Sequence, residues 1–195
     1  MTGGVGRLSP GEIECPFMYR SLRLLIASSF LFCAASFGSA LALDLGSPAF
    51  SDGGAIPKVH GCGKMGGKDM SPELEISGVS SQAKSLALII DDPDAKSVAG
   101  KTWVHWVVSD LAPDTTNIAS IKRGKIKLGL AGRNSSGSRA YQGMCPPNGQ
   151  HTYVFAVYEL SSAIGKKLGE MTRKKFEKKY SEQIISKSEL RGTYQ

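Results

Sequence analysis

Three carboxylates around one proline, Asp91, Asp92 and Asp94 about Pro93, close the apolar run SLALIIDD. Pro93 fixes φ and withholds a donor, so the turn that carries these acids is stiff. Further on, TWVHWVVSDL places His105 among large apolar neighbours, and a period of two puts it on one face with Trp103 and Val107. His151 and Tyr153 share a face at the start of HTYVFAVYEL, directly after the rigid loop CPPNGQ. Buried charges and unpaired imidazoles cost free energy unless they are matched. The pattern therefore predicts a polar site where strands leave a sheet.

The residue types narrow the chemistry. A zinc site asks for close histidine pairs, and neither HxH nor HxxxH occurs. A serine hydrolase asks for a GxSxG elbow, which is missing, and no cysteine has an activating context. An anion pocket asks for less, because imidazole N–H groups, a tyrosine hydroxyl and loop amides all donate to phosphate oxygens. A neighbouring aspartate would orient one histidine and hold its proton. His60, in a glycine-rich loop, has no such pattern around it.

The elements that must hold these groups read as strands. SLALIIDD, TWVHWVVSDL and HTYVFAVYEL are rich in β-branched and aromatic residues and are bounded by Gly, Pro, Asp or Ser. The first is continuously apolar and is expected to be buried on both faces; the other two alternate. DLGSPAF reads as a short extended segment, and the glycine-rich stretch around GKMGGK, which lacks Walker spacing, as a plain flexible loop. Apolar residues at near-helical spacing predict one amphipathic helix over residues 162–185, followed by a short strand around ELRGTYQ. The expected class is mainly β, a sandwich with a peripheral C-terminal helix.

Residues 18–42 carry the marks of a secretory signal. Arg20 and Arg23 supply the positive region, residues 24–38 the apolar region and Ala40-Leu41-Ala42 the cleavage triplet. The apolar run falls short of the ~20 residues of a spanning helix, so no stable membrane span is expected once it is removed. Residues 1–17 read as an over-extended start, and residues 43–195 as one domain in the periplasm or outside the cell. Of four cysteines, Cys62 and Cys145 remain in that domain. An oxidising compartment favours a disulfide between them, worth ~4 kcal/mol by chain entropy; two buried thiols are the alternative.

The formal charge of +7 favours anionic partners. Much of the excess sits in GKKLGEMTRKKFEKKY, where Lys174, Lys175, Lys178 and Lys179 form either a solvated face or a contact for an anionic membrane. No RNA-binding aromatic motif or zinc-finger spacing accompanies them, so nucleic acid is not an expected partner.

In their order, DDPDA, TWVHWVV, the CPPxGxHxYVFxVYxL element and the closing ELRGTY make the chain resemble the phosphatidylethanolamine-binding protein family, in its bacterial Raf kinase inhibitor-like branch. The resemblance implies an antiparallel β-sandwich with a small pocket for phosphate-bearing groups, including phospholipid headgroups. It places the pocket aspartate at Asp92, the two pocket histidines at His105 and His151 with Tyr153 beside them, and one wall at Cys145, Pro146 and Pro147. The expected ligand-binding set is Asp92, Asp94, Trp103, His105, Pro146, His151 and Tyr153, with no catalytic residue, cofactor or metal. The ligand would be a phosphorylated small molecule or a lipid headgroup. The alternative implied by relatives is a protein partner docked at the pocket edge, as in kinase or protease inhibitors. Three positions depart from the family pattern: Lys96 where a proline is usual, Met144 where a proline precedes the CPP segment, and Thr152 where an arginine is usual. They predict a greasier rim at Met144 and an added phosphate contact at Lys96.

Overall fold

The computed structural model describes residues 42–122 and 128–195. The over-extended start expected over residues 1–17 and the signal expected over residues 18–42 lie outside them, but for Ala42. Two sheets pack face to face. The larger has six strands in the order β2 (Gly54–Ala55), β9 (Ile184–Tyr194), β8 (His151–Leu160), β4 (Ser85–Asp92), β5 (Trp103–Leu111) and β7 (Leu130–Ala131). The smaller has three, β1 (Asp44–Gly46), β3 (Leu74–Ser77) and β6 (Asn117–Ile118), in the order β1-β3-β6. Pairing is antiparallel except at one edge, where β2 runs parallel to β9.

All eight residues of β4 are buried, as its unbroken apolar run predicts. One face of the large sheet, with Leu86, Leu88, Ile90, Trp106 and Phe155, meets Leu45, Leu74, Ile76 and Ile118 of the small sheet. The other face, with Ala87, Ile89, Val104, Val107, Ala156 and Tyr158, is covered by Leu168, Met171, Phe176 and Tyr180. Strands β5 and β8 are therefore buried on both faces through most of their length, more than their alternation predicts.

The C-terminal region departs from expectation. The helix, α2, is only Arg173–Lys179, started by Thr172, whose side-chain oxygen accepts from Lys175 N at 3.3 Å. Residues 162–172 are not helical, because their backbone groups are engaged elsewhere. Asp110, itself at φ 56°, accepts from Ile164 N and Gly165 N at 2.7 and 2.8 Å, and the Leu168 carbonyl takes Arg133 N. Conversely, β9 runs eleven residues along β8 rather than a few. Its exposed side chains are Ile185, Lys187 and Arg191, with Ser186, Ser188 and Glu189 half-buried among them, so its composition conceals a strand that its register makes plain.

Candidate functional site

Asp92 ends β4, and its neighbour across the ladder is Trp103, the first residue of β5. Between Ile90 and Asp91 the partner on β5 jumps from Trp106 to Val104. His105 is thus the extra residue of a β-bulge, the device that re-aims a side chain at a strand end. Its effect is visible in the packing. Val104 and Val107 lie on the outer face of the large sheet and Trp106 and Val108 on the inner, while His105 turns inward, its ring 5.2 Å from that of Tyr153. The strict period of two fails here: His105 shares its side with Trp103 but not with Val107.

A cavity of about 220 Å³ opens at these strand ends. Its polar floor is Asp92, His105, His151 and Tyr153; Cys145, Pro146 and Pro147 make one wall, and Trp103, Val98 and Ala99 an apolar lip. The short helix α1 (Lys96–Ala99) supplies that lip because Asp92 Oδ1 accepts from Ala95 N at 3.0 Å and turns the chain after Pro93. Six of the seven residues expected to bind ligand therefore meet in one place. Asp94 stands outside it: its Oδ2 accepts from Thr152 N at 2.8 Å, fixing the start of β8 against the turn.

Both histidines are held by Nδ1. His151 Nδ1 donates to Asp92 Oδ2 at 2.7 Å, and both side chains are 4% exposed. His105 Nδ1 donates to the Gln142 carbonyl at 2.9 Å, which can only accept, so Nδ1 carries the proton and Nε2 is left with its lone pair. Burial pushes the His105 pKa down, against the Gln142 carbonyl and the Asp92 charge that raise it, while His151 adds to the depression. The Tyr153 hydroxyl is buried and reaches no partner in good hydrogen-bond geometry, although the Asp92 carboxylate and the Cys145 amide lie beside it. Burial first, and then the Asp92 charge, push its pKa far up, so it stays a donor.

Gln142 went unnoticed in the sequence. Its carbonyl anchors His105, its N–H donates to the His105 carbonyl at 3.1 Å, and its Oε1 accepts from Trp103 Nε1 at 3.1 Å. No motif marks it, because two of its three bonds use the backbone. Around it, the wall is sewn to the glycine-rich loop. Cys62 and Cys145, 83 residues apart, form a disulfide, and Cys62 N donates to the Met144 carbonyl at 2.8 Å. Gly143 N donates to Asp69 Oδ1 at 3.1 Å, and a Cβ on Gly143 would lie 2.6 Å from that oxygen and 2.7 Å from Cys62 N, so only glycine fits.

Three further expectations need correction. Met144 is fully buried in the core between the sheets and does not line the cavity. Lys96, at the start of α1, is exposed and is not among the residues that line the cavity. The GKMGGK stretch is not a loose loop: Gly63–Met65 makes a 3-10 turn, Met65 N and Gly67 N donate to the Cys62 carbonyl at 3.0 and 2.9 Å, and Gly67 packs on the backbone of Gly61. His60 is structural, its Nδ1 donating to the Met70 carbonyl at 2.9 Å and its own carbonyl accepting from Tyr141 at 2.8 Å. Among the described residues, no cluster of three His, Cys, Asp or Glu side chains is placed to hold a metal ion.

The chain is similar to known proteins in sequence and in fold. A UPF0098 protein of Chlamydia muridarum is 36% identical over 155 residues, which cover 78% of this chain and 99% of that protein. Another, from Methanothermobacter thermautotrophicus, is 42% identical over 125 residues, covering 63% and 79%. Among solved structures, a phosphatidylethanolamine-binding protein homologue of Chlamydia trachomatis superposes with a TM-score of 0.69 at 35% identity, covering 80% of this chain and 98% of its own. Escherichia coli YbcL, described as a member of the mammalian family, shares the fold with a TM-score of 0.68 at 24% identity, over 78% and 98%. The profile of the family described as phosphatidylethanolamine-binding protein matches residues 46–195. With its sandwich, its strand-end cavity and these relatives, the chain belongs to the phosphatidylethanolamine-binding protein family.

Proposed function

We propose that this protein is a non-enzymatic receptor for phosphate-bearing groups, lipid headgroups among them, acting in the periplasm or outside the cell. The observation that carries the proposal is the floor of the cavity. Two imidazoles fixed through Nδ1 keep Nε2 for a ligand, and beside them lies a buried tyrosine donor with no well-formed bond. A phosphate oxygen placed there accepts from Tyr153 and meets both Nε2 atoms, each as a donor when protonated or as an acceptor of a proton the phosphate brings. The apolar lip of Trp103, Val98 and Ala99 suits the aliphatic part of an ester. Among the described residues the lining holds no serine, threonine or free thiol, and its one hydroxyl, that of Tyr153, is kept protonated, which argues for binding over turnover. The Cys62–Cys145 bond supports the extracytoplasmic assignment, since such bridges persist where the surroundings oxidise.

Calorimetric titration with inorganic phosphate and phosphoethanolamine tests this, with His105→Ala and His151→Ala beside the wild type. Binding by the wild type that folded variants lose is the expected result. A folded wild type that binds neither probe would overturn the reading and turn the search toward protein partners at the cavity edge.

A further inference from the structure

The lysines of residues 166–179 take no part in the cavity. Lys166, Lys167, Lys174, Lys175, Lys178 and Lys179 are all exposed, and among the described residues none makes an ion pair. The acids of the same segment are turned to other work. Glu177 takes Lys187 at 2.9 Å and the Tyr158 hydroxyl at 3.1 Å, and Glu170 takes Lys101 at 2.8 Å and Ser135 at 2.7 Å. Only Lys175 feels Glu170, at longer range.

Helix α2 is therefore assembled against its own interest. Lys174 with Lys178, and Lys175 with Lys179, are like-charge pairs at i,i+4, which repel. Lys174 and Lys175 also occupy the first turn, where no acid offsets the positive end of the helix. Tertiary packing holds the helix regardless: Phe176 is buried beneath it, and Arg173 bonds Asp91 and Glu189. An anionic surface would relieve both repulsions.

We propose that this lysine face docks the protein on an anionic bilayer surface. Lysines are hydrated point charges suited to a diffuse field of lipid phosphates. The large apolar residues exposed among the described residues are Val98, Leu128 and Ile185, aliphatic side chains that offer no platform for stacking bases. The segment is also hung beside the cavity lip, because Lys101, paired with Glu170, lies 5.4 Å from the centre of the Trp103 ring. The lysine-bearing segment and the cavity lip are therefore neighbours.

Cosedimentation of the protein with vesicles tests this, using phosphatidylcholine alone or with about one-third phosphatidylglycerol. Binding is expected only to the acidic vesicles, falling steeply between about 50 and 500 mM salt. Each lysine near such a surface strengthens partitioning about fivefold, so the variant K174E/K175E/K178E/K179E should fall by more than about a hundredfold. A control of equal net charge, K64E/K68E/K84E/K122E, reverses exposed lysines elsewhere and should retain most binding. His105→Ala should bind vesicles like the wild type, which separates this surface from the cavity. Equal loss in both quadruple variants, salt-insensitive binding, no binding to acidic vesicles, or tighter binding to duplex DNA than to vesicles would each overturn the proposal.

Discussion

Asp91 and Asp92 are adjacent, both buried, and committed to opposite faces of the same sheet. Asp91 turns outward, where Oδ2 accepts from Arg173 N at 2.9 Å and Oδ1 from Arg173 Nε at 2.7 Å, tying α2 to β4. Asp92 turns inward to the cavity and holds His151. A run of acids that looks like a single cluster in the sequence is therefore split by the strand's period between architecture and chemistry.

Removing the outward member should damage the fold and spare the site. Asp91→Ala leaves the Arg173 guanidinium half-buried with only Glu189, and breaking such a pair costs about 3 kcal/mol. Urea unfolding should show that loss, while phosphate affinity of the folded fraction stays at the wild-type value.

Removing the inward member should do the reverse. Asp92→Asn keeps an oxygen for Ala95 N but no longer presents an anion to His151 Nδ1. Affinity for phosphoethanolamine should fall about tenfold or more, as for loss of a charge-assisted bond, with a smaller change in the unfolding midpoint. Calorimetry and urea titration on the same preparation separate the two.

The neutral, buried His105 gives stability a pH dependence of fixed sign. Its folded pKa lies below the unfolded value, so between the two the unfolded chain binds the proton and the folded chain does not. Stability should be level above about pH 7.5 and decline as pH drops below about 6.5. His60 is depressed by burial as well and contributes in the same direction. His105→Gln should flatten part of the slope in urea titrations at a series of pH values. Phosphate binding, which favours the imidazolium, should strengthen over the same fall in pH while the protein remains folded.

Reduction of Cys62–Cys145 should reach both stability and ligand. The bond closes a loop across 83 positions, for which chain entropy gives about 4.6 kcal/mol, and Cys145 itself lines the cavity beside Pro146 and Pro147. A lower thermal midpoint with dithiothreitol is expected, together with weaker phosphate binding at a temperature where the reduced protein is still folded. The C62S/C145S variant should behave as the reduced protein and be indifferent to reductant.

The parts of this architecture legible in the sequence were those written in side-chain type. The greasy β4, the aromatic β8, the paired cysteines and the residues of the cavity floor could all be named from composition, spacing and resemblance. What stayed hidden was written in the backbone. The bulge at His105 has no signature in residue type; Gln142 works largely through its own N–H and carbonyl; and Asp110 holds residues 164 and 165 out of a helix that their spacing favours. β9 escaped for a different reason, since much of its outer side is polar and neither periodicity nor hydrophobicity marks it.

The bulge also separates two kinds of information. With His105 left out, Val104, Trp106, Val107 and Val108 would alternate outer, inner, outer, inner without interruption, in step with β4. The ladder thus does not count the residue that supplies the cavity with its buried imidazole. The sheet is specified by the residues on either side, so the identity at 105 is free to answer to the cavity instead of the core.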